Sequence, residues 1–77
     1  TREWWFYVDV SGRVLGPLPP AKMRSLYQQG RLGHQTRVRW LPVSYRTPRL
    51  EDQDLDDFSP LMELCGDAMP PFMELQR

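Results

Sequence analysis

Trp4-Trp5-Phe6-Tyr7-Val8-Asp9-Val10 decides the fold. Four consecutive rings followed by two valines suit a pleated, packed strand far better than a helix. Asp9-Val10-Ser11-Gly12 then has the chemistry of a tight turn, with Asp first to accept from the backbone ahead of it and Gly last to take an unusual φ. Arg13-Val14-Leu15 reads as the returning strand, stopped by Gly16-Pro17, so the chain opens as a β-hairpin. Side chains alternate across a strand, which sets Trp5 and Tyr7 on one face and Trp4 and Phe6 on the other. The two faces are therefore not expected to be equally buried.

Working outward, Leu18-Pro19-Pro20 leads into Ala21-Lys22-Met23-Arg24-Ser25-Leu26-Tyr27-Gln28-Gln29, closed by Gly30. Proline at the start and glycine past the end mark both limits of a helix over Pro20–Gln29, with Met23, Leu26 and Tyr27 on its apolar face. Thr36-Arg37-Val38-Arg39-Trp40-Leu41 alternates and predicts a third strand, with Val38 and Trp40 facing inward and Pro42 ending it. Pro42 to Asp57 has no helical period and carries adjacent acids, so it reads as an inserted, poorly ordered loop. Ser59-Pro60 looks like a helix N-cap with proline at the first helical position, predicting a short helix to Cys65. Pro70-Pro71-Phe72 either packs or frays. The expected class is α+β: a small antiparallel sheet with one main helix across it, a short C-terminal helix, and a core built on Trp40, Met23, Phe6, Leu61, Leu64 and Cys65.

Composition narrows the function. A chain of 77 residues forms one small domain, and 40% hydrophobic with 12% aromatic residues is too apolar for a disordered tail. Ten basic residues balance ten acidic ones, which speaks against a general nucleic-acid or membrane-surface binder. One cysteine makes no internal disulfide, and Cys65 with His34 is too few ligands for a zinc site, so no metal or cofactor is expected. No apolar run reaches the roughly 20 residues that cross a bilayer, and no signal peptide is visible. These features fit a reducing compartment, cytoplasmic or nuclear, and the start at Thr1 reads as a fragment of a longer protein. As an isolated domain it is expected to be a monomer.

No catalytic constellation is present. Cys65 sits in an apolar helix beside Leu61 and Leu64, His34 in a polar turn, and the acids of Glu51–Asp57 in one flexible stretch. An enzyme is not expected. Arg31, Arg37, Arg39, Arg46 and Arg49, with Trp40 and Tyr45 among them, could grip single-stranded RNA by phosphate pairing and stacking, but the acids that follow cancel the field. Contact with RNA is expected to be weak or indirect, with the acids screening the arginines. The remaining candidate is the aromatic hairpin beside Leu18, Met23 and Leu26, because flat rings line the shallow grooves that bind stiff proline-rich peptides.

Trp5-Phe6-Tyr7-Val8-Asp9, Gly12, Gly16-Pro17-Leu18, Met23, Leu26 and Gly30-Arg31-Leu32 together resemble the GYF domain, an adaptor fold that binds proline-rich peptides. Phe58-Ser59-Pro60-Leu61, Gly66 and Pro71-Phe72 are similar to the family's closing segment, so the resemblance spans nearly the whole chain, with an insertion between Pro42 and Asp57. The resemblance implies a peptide groove at Trp5, Tyr7, Asp9, Leu18, Met23, Leu26, Gly30, Arg31 and Leu32, of which Met23 and Gly30 are framework. Asp9 is similar to the subgroup accepting Pro-Pro-Gly-hydrophobic ligands. Relatives act in mRNA processing and translation regulation. Leu18, Leu26 and Leu32 stand where the family carries rings, and Arg31 stands at the namesake tyrosine. Two groove readings remain open: an altered proline-rich binder, or a fold that docks another apolar partner surface.

Overall fold

The strand Trp4–Val8 (β1) lies in the interior of a four-stranded antiparallel sheet of order β2-β1-β3-β4. The computed structural model describes residues 3–41, 46–66 and 70–73. The other strands are β2 (Val14–Leu18), β3 (Arg37–Leu41) and β4 (Ser59–Pro60). Helix α1 (Pro20–Gln28) packs on one face of the sheet, and α2 (Leu61–Cys65) follows β4 as little more than one turn. The architecture is the expected α+β class.

The register explains the packing. Trp5 pairs with Leu18 on one side and Trp40 on the other, and Tyr7 pairs with Leu15 and Val38. This face meets Met23 and Leu26 of α1, and with Leu32, Leu61 and Phe72 it closes the main core. Phe72 meets Trp5 edge-on at 5.2 Å and Tyr27 at 5.9 Å, and Arg24 Nε donates to its carbonyl at 3.0 Å. The C-terminal Pro-Pro-Phe segment therefore packs, with Phe72 and Pro70 wholly buried.

Gly16-Pro17 does not stop β2 but lies within it. Between the pairs Trp5↔Leu18 and Tyr7↔Leu15 the register shifts, so two residues of β2 oppose Phe6 alone. β2 is an edge strand, where the missing proline N–H costs no ladder bond on the outer side. Gly16 has φ +140°, and a Cβ there would lie 2.6 Å from Phe6 Cδ2 and 2.7 Å from the Trp5 carbonyl oxygen. The bulge needs glycine because backbone and ring approach too closely for any side chain.

Burial of β1 is not one-sided. Phe6, on the face away from α1, is as fully buried as Trp5. The stretch read as a poorly ordered loop carries two single-turn 3-10 segments, Leu50–Asp52 and Leu55–Asp57, the first in contact with β2, and it ends on buried Phe58. Its acids form a cap and ion pairs. Asp54 accepts from the Asp56 N–H at 3.0 Å, and Asp57 meets Arg39 at 3.1 Å. Residues 42–45, also within the expected loop, lie outside the described residues.

Three local expectations are corrected. Trp40 is 46% exposed: it stacks on Trp5 at 6.1 Å, but β4 pairs only with Arg37 and Val38 and does not extend alongside it. Leu64 is also exposed, because α2 buries the face of Leu61 and leaves Leu64 in an open concavity with Trp40, and Cys65 is half-buried. Ser59 is not an N-cap, since it belongs to β4. The first N–H groups of α2 donate instead to backbone carbonyls, Leu61 to Thr36 and Met62 to His34, both at 2.9 Å.

Gly16→Ala should destabilise the domain by about 1–3 kcal/mol in urea melts, while Gly33→Ala, with open space around it, should stay within about 1 kcal/mol of wild type. Phe72→Ala should cost about 3–5 kcal/mol, and half-exposed Trp40→Ala clearly less, about 1–2 kcal/mol. Equal losses at the two rings in thermal melts would contradict this packing.

Candidate functional site

A groove of about 380 Å³ opens between the end of β1, the hairpin turn and the loop that follows α1. Two local motifs hold its walls. In the turn, Asp9 N–H donates to the Arg13 carbonyl at 2.9 Å and Gly12 N–H to the Asp9 carbonyl at 3.0 Å. Asp9 Oδ1 accepts from the Ser11 N–H, the Ser11 hydroxyl and the Arg13 N–H at 2.9, 2.7 and 2.9 Å. These donors, the Ser11 hydroxyl foremost and the Arg13 backbone next, hold the Asp9 carboxyl below its ordinary pKa.

The second wall is the C-terminus of α1. Gly30, at φ +79°, donates to the Tyr27 carbonyl at 3.0 Å, and Arg31 N–H donates to the Leu26 carbonyl at 2.9 Å. This pair of bonds is a Schellman motif, and it fixes Gly30 and Arg31 at the groove. A further turn, with Gly33 N–H donating to Thr36 Oγ1 at 2.8 Å, brings Thr36 to the same lining.

The residues singled out from sequence divide into two sets. Tyr7, Asp9, Gly30 and Arg31 line this one groove. Trp5, Met23, Leu26 and Leu32 are buried in the core, and Leu18 is half-buried against it, paired with Trp5. None of the five lines the groove, and Trp5, Met23, Leu26 and Leu32 have almost no surface open to a ligand. Tyr7 belongs to both sets, being 8% exposed with its body in the core and its accessible remainder in the groove. Val8, Val10, Leu15 and Thr36 also line it and were not anticipated. The hairpin register places Leu15 opposite Tyr7 and was in principle readable from the turn. Nothing in the sequence around Thr36 signals its placement.

The arginines and aromatic residues considered for RNA do not share one surface. Arg31 lines the groove above, whereas Arg39 and Trp40 line a second concavity of about 310 Å³ with Asp57 and Leu64. Arg39 is paired with Asp57 and Arg49 with Glu51, and Tyr45 lies outside the described residues. His34 is exposed, and the Cys65 thiol lies 3.4 Å from the Leu61 carbonyl oxygen. Among the described residues no group of three His, Cys, Asp or Glu is placed to hold a metal ion, and no helix is long and apolar enough to cross a membrane.

Comparison of the chain with protein-family models, curated proteins and solved structures finds no match.

Because Asp9 binds its proton less tightly folded than unfolded, its contribution to stability is fully present above the unfolded pKa and is lost as pH falls through the lower folded one. Urea melts across the acid limb should show Asp9→Asn losing part of the wild-type pH dependence. Identical slopes for the two proteins would remove Asp9 from that linkage.

Proposed function

We propose that this domain is a GYF-like interaction module that binds a short proline-rich peptide in the groove beside Tyr7 and Arg31. The supporting observation is convergence: Tyr7 and Asp9 from the opening motif and Gly30 and Arg31 from the motif after α1 line one concavity. Such a concavity suits an extended, stiff segment, since a polyproline II ligand loses little conformational entropy on binding. Tyr7 contributes the small part of its side chain that stays accessible, and Val8, Val10 and Leu15 add apolar lining. A role for the parent protein in mRNA processing or translation regulation, in cytoplasm or nucleus, follows from the family resemblance alone.

The test is a two-dimensional NMR titration with a Pro-Pro-Gly-Leu peptide, run beside a short single-stranded RNA. Amides of Val8, Val10, Gly30, Arg31 and Thr36 should shift with the peptide at a Kd of tens to hundreds of micromolar, roughly −5 to −7 kcal/mol. Tyr7→Phe is a cleaner probe than Tyr7→Ala, which would also hollow the core; loss of the hydroxyl should weaken binding about fivefold. Arg31→Tyr, which adds a ring at the groove, should tighten an uncharged Pro-Pro-Gly peptide. Shifts confined to Arg39 and Trp40, or caused only by RNA, would overturn the proposal.

A further inference from the structure

We infer that the segment taken by this groove carries a carboxylate beside its apolar residues, recognised by the Arg31 guanidinium. The inference rests on the peptide-binding reading above and specifies the ligand for that same groove.

Three observations carry it. The Arg31 backbone is anchored by the Leu26 carbonyl at 2.9 Å, so its charged side chain projects from a fixed root at the groove wall. Arg39 and Arg49 each have an acidic partner, whereas among the described residues the exposed Arg31 side chain forms no ion pair or hydrogen bond. The nearby acid lining the groove, Asp9, has Oδ1 committed to three donors of its own turn. The groove thus offers a guanidinium with no direct ion-pair partner, lined alongside Tyr7 and Leu15, while the Asp9 carboxylate keeps its charge within its own turn. A planar guanidinium matches a carboxylate with two parallel N–H···O bonds, an arrangement that lysine does not reproduce.

The Asp9 charge also selects among anions. It lines the groove that Arg31 serves, and it opposes a dianionic phosphate more strongly than a singly charged carboxylate. A carboxylate can come from an Asp or Glu side chain or from a peptide C-terminus, and both present the same group to Arg31.

Arg31 also lies just past the C-terminus of α1, where a cation is favourable for the helix itself. A purely structural role would change the melting temperature of an Arg31 variant but not its discrimination between ligands. The experiment therefore reads discrimination. Five peptides share a Pro-Pro-Gly-Leu core: one followed by Glu, one by Gln, one by Lys and one by phosphoserine, all amidated, and one ending in a free carboxylate directly after Leu. Each is titrated by NMR into wild type, Arg31→Gln and Arg31→Glu, and melting temperatures are taken separately.

The Glu peptide, the free-carboxylate peptide, or both should bind wild type about five- to tenfold tighter than the Gln peptide. Which of them does so identifies the source of the carboxylate. The preference should vanish in Arg31→Gln, reverse toward the Lys peptide in Arg31→Glu, and shrink at high salt because the pair is exposed. Equal binding of the Glu, Gln and free-carboxylate peptides at the groove amides overturns this inference and leaves the peptide-binding reading standing. Tighter binding of the phosphoserine peptide than of either carboxylate peptide overturns the choice of carboxylate. If no peptide of any charge shifts the groove amides, both proposals fail.

Discussion

Trp5 is the side chain on which the separate parts of this domain converge. It is wholly buried in an interior strand, flanked by Leu18 on β2 and Trp40 on β3, and met edge-on by Phe72. Its indole N–H donates to Glu3 at 3.2 Å, so the ring is buried without leaving a polar atom unpaired. A ring of this size buries roughly 150–250 Å². In a domain too small for disulfide-free redundancy, that one residue ties the hairpin, the third strand and the C-terminal segment into one core. Phe72 extends the tie to α1 through Tyr27 and Arg24, which makes the last described segment as structural as the first.

Placing the large rings in the core has a consequence for the surface. Trp5, Phe6 and Phe72 are wholly buried, which leaves Tyr7 as the aromatic residue of the main groove. Leu26 and Leu32 are buried in the core as well and offer a ligand no flat face. Among the described residues, a ligand there meets the edge of one ring, a few aliphatic side chains, one guanidinium and the carboxylate of Asp9. Apolar burial gives affinity with little direction, whereas a bidentate charged contact sets orientation and register. Specificity in this groove is therefore better sought in charge than in stacking.

The sequence made the hairpin, α1 and the third strand legible because each has local punctuation: Asp9 to Gly12 for the turn, Pro20 and Gly30 for the helix, and alternation from Arg37 to Trp40. Its failures share a cause, which is that distant partners decided the outcome. Gly16-Pro17 looks like a stop until Phe6 is known to press against Gly16 from the neighbouring strand. Ser59 looks like a cap until the carbonyls of His34 and Thr36 take the N–H groups it would have served. Alternation alone would set Trp40 in the core, yet it fixes only the face, and β4 pairs no further along β3 than Val38. At the groove, the family resemblance pointed to Tyr7, Asp9, Gly30 and Arg31, but local sequence gave no sign of which resembling residues the core would absorb.

The acid-rich segment illustrates how the same residues can serve packing and electrostatics together. Phe6 lies on the face that α1 does not cover, and full burial of such a ring requires cover from elsewhere. The segment from Leu50 to Phe58 follows β3, touches β2 through its first turn, and returns into β4 through buried Phe58. Its acids stay on the exposed side, and Asp57 reaches Arg39, the residue paired with Phe6 across the sheet. An exposed pair of this kind contributes only about 0–1 kcal/mol, so it is a weak reason for the segment to hold its place. The apolar anchor at Phe58 is the stronger one, and the ion pair is then a consequence of that placement. A polyanion approaching Arg39 must compete with a carboxylate that the fold has already brought to 3.1 Å. This counts against RNA at the second concavity for a structural reason, whatever the net charge of the chain.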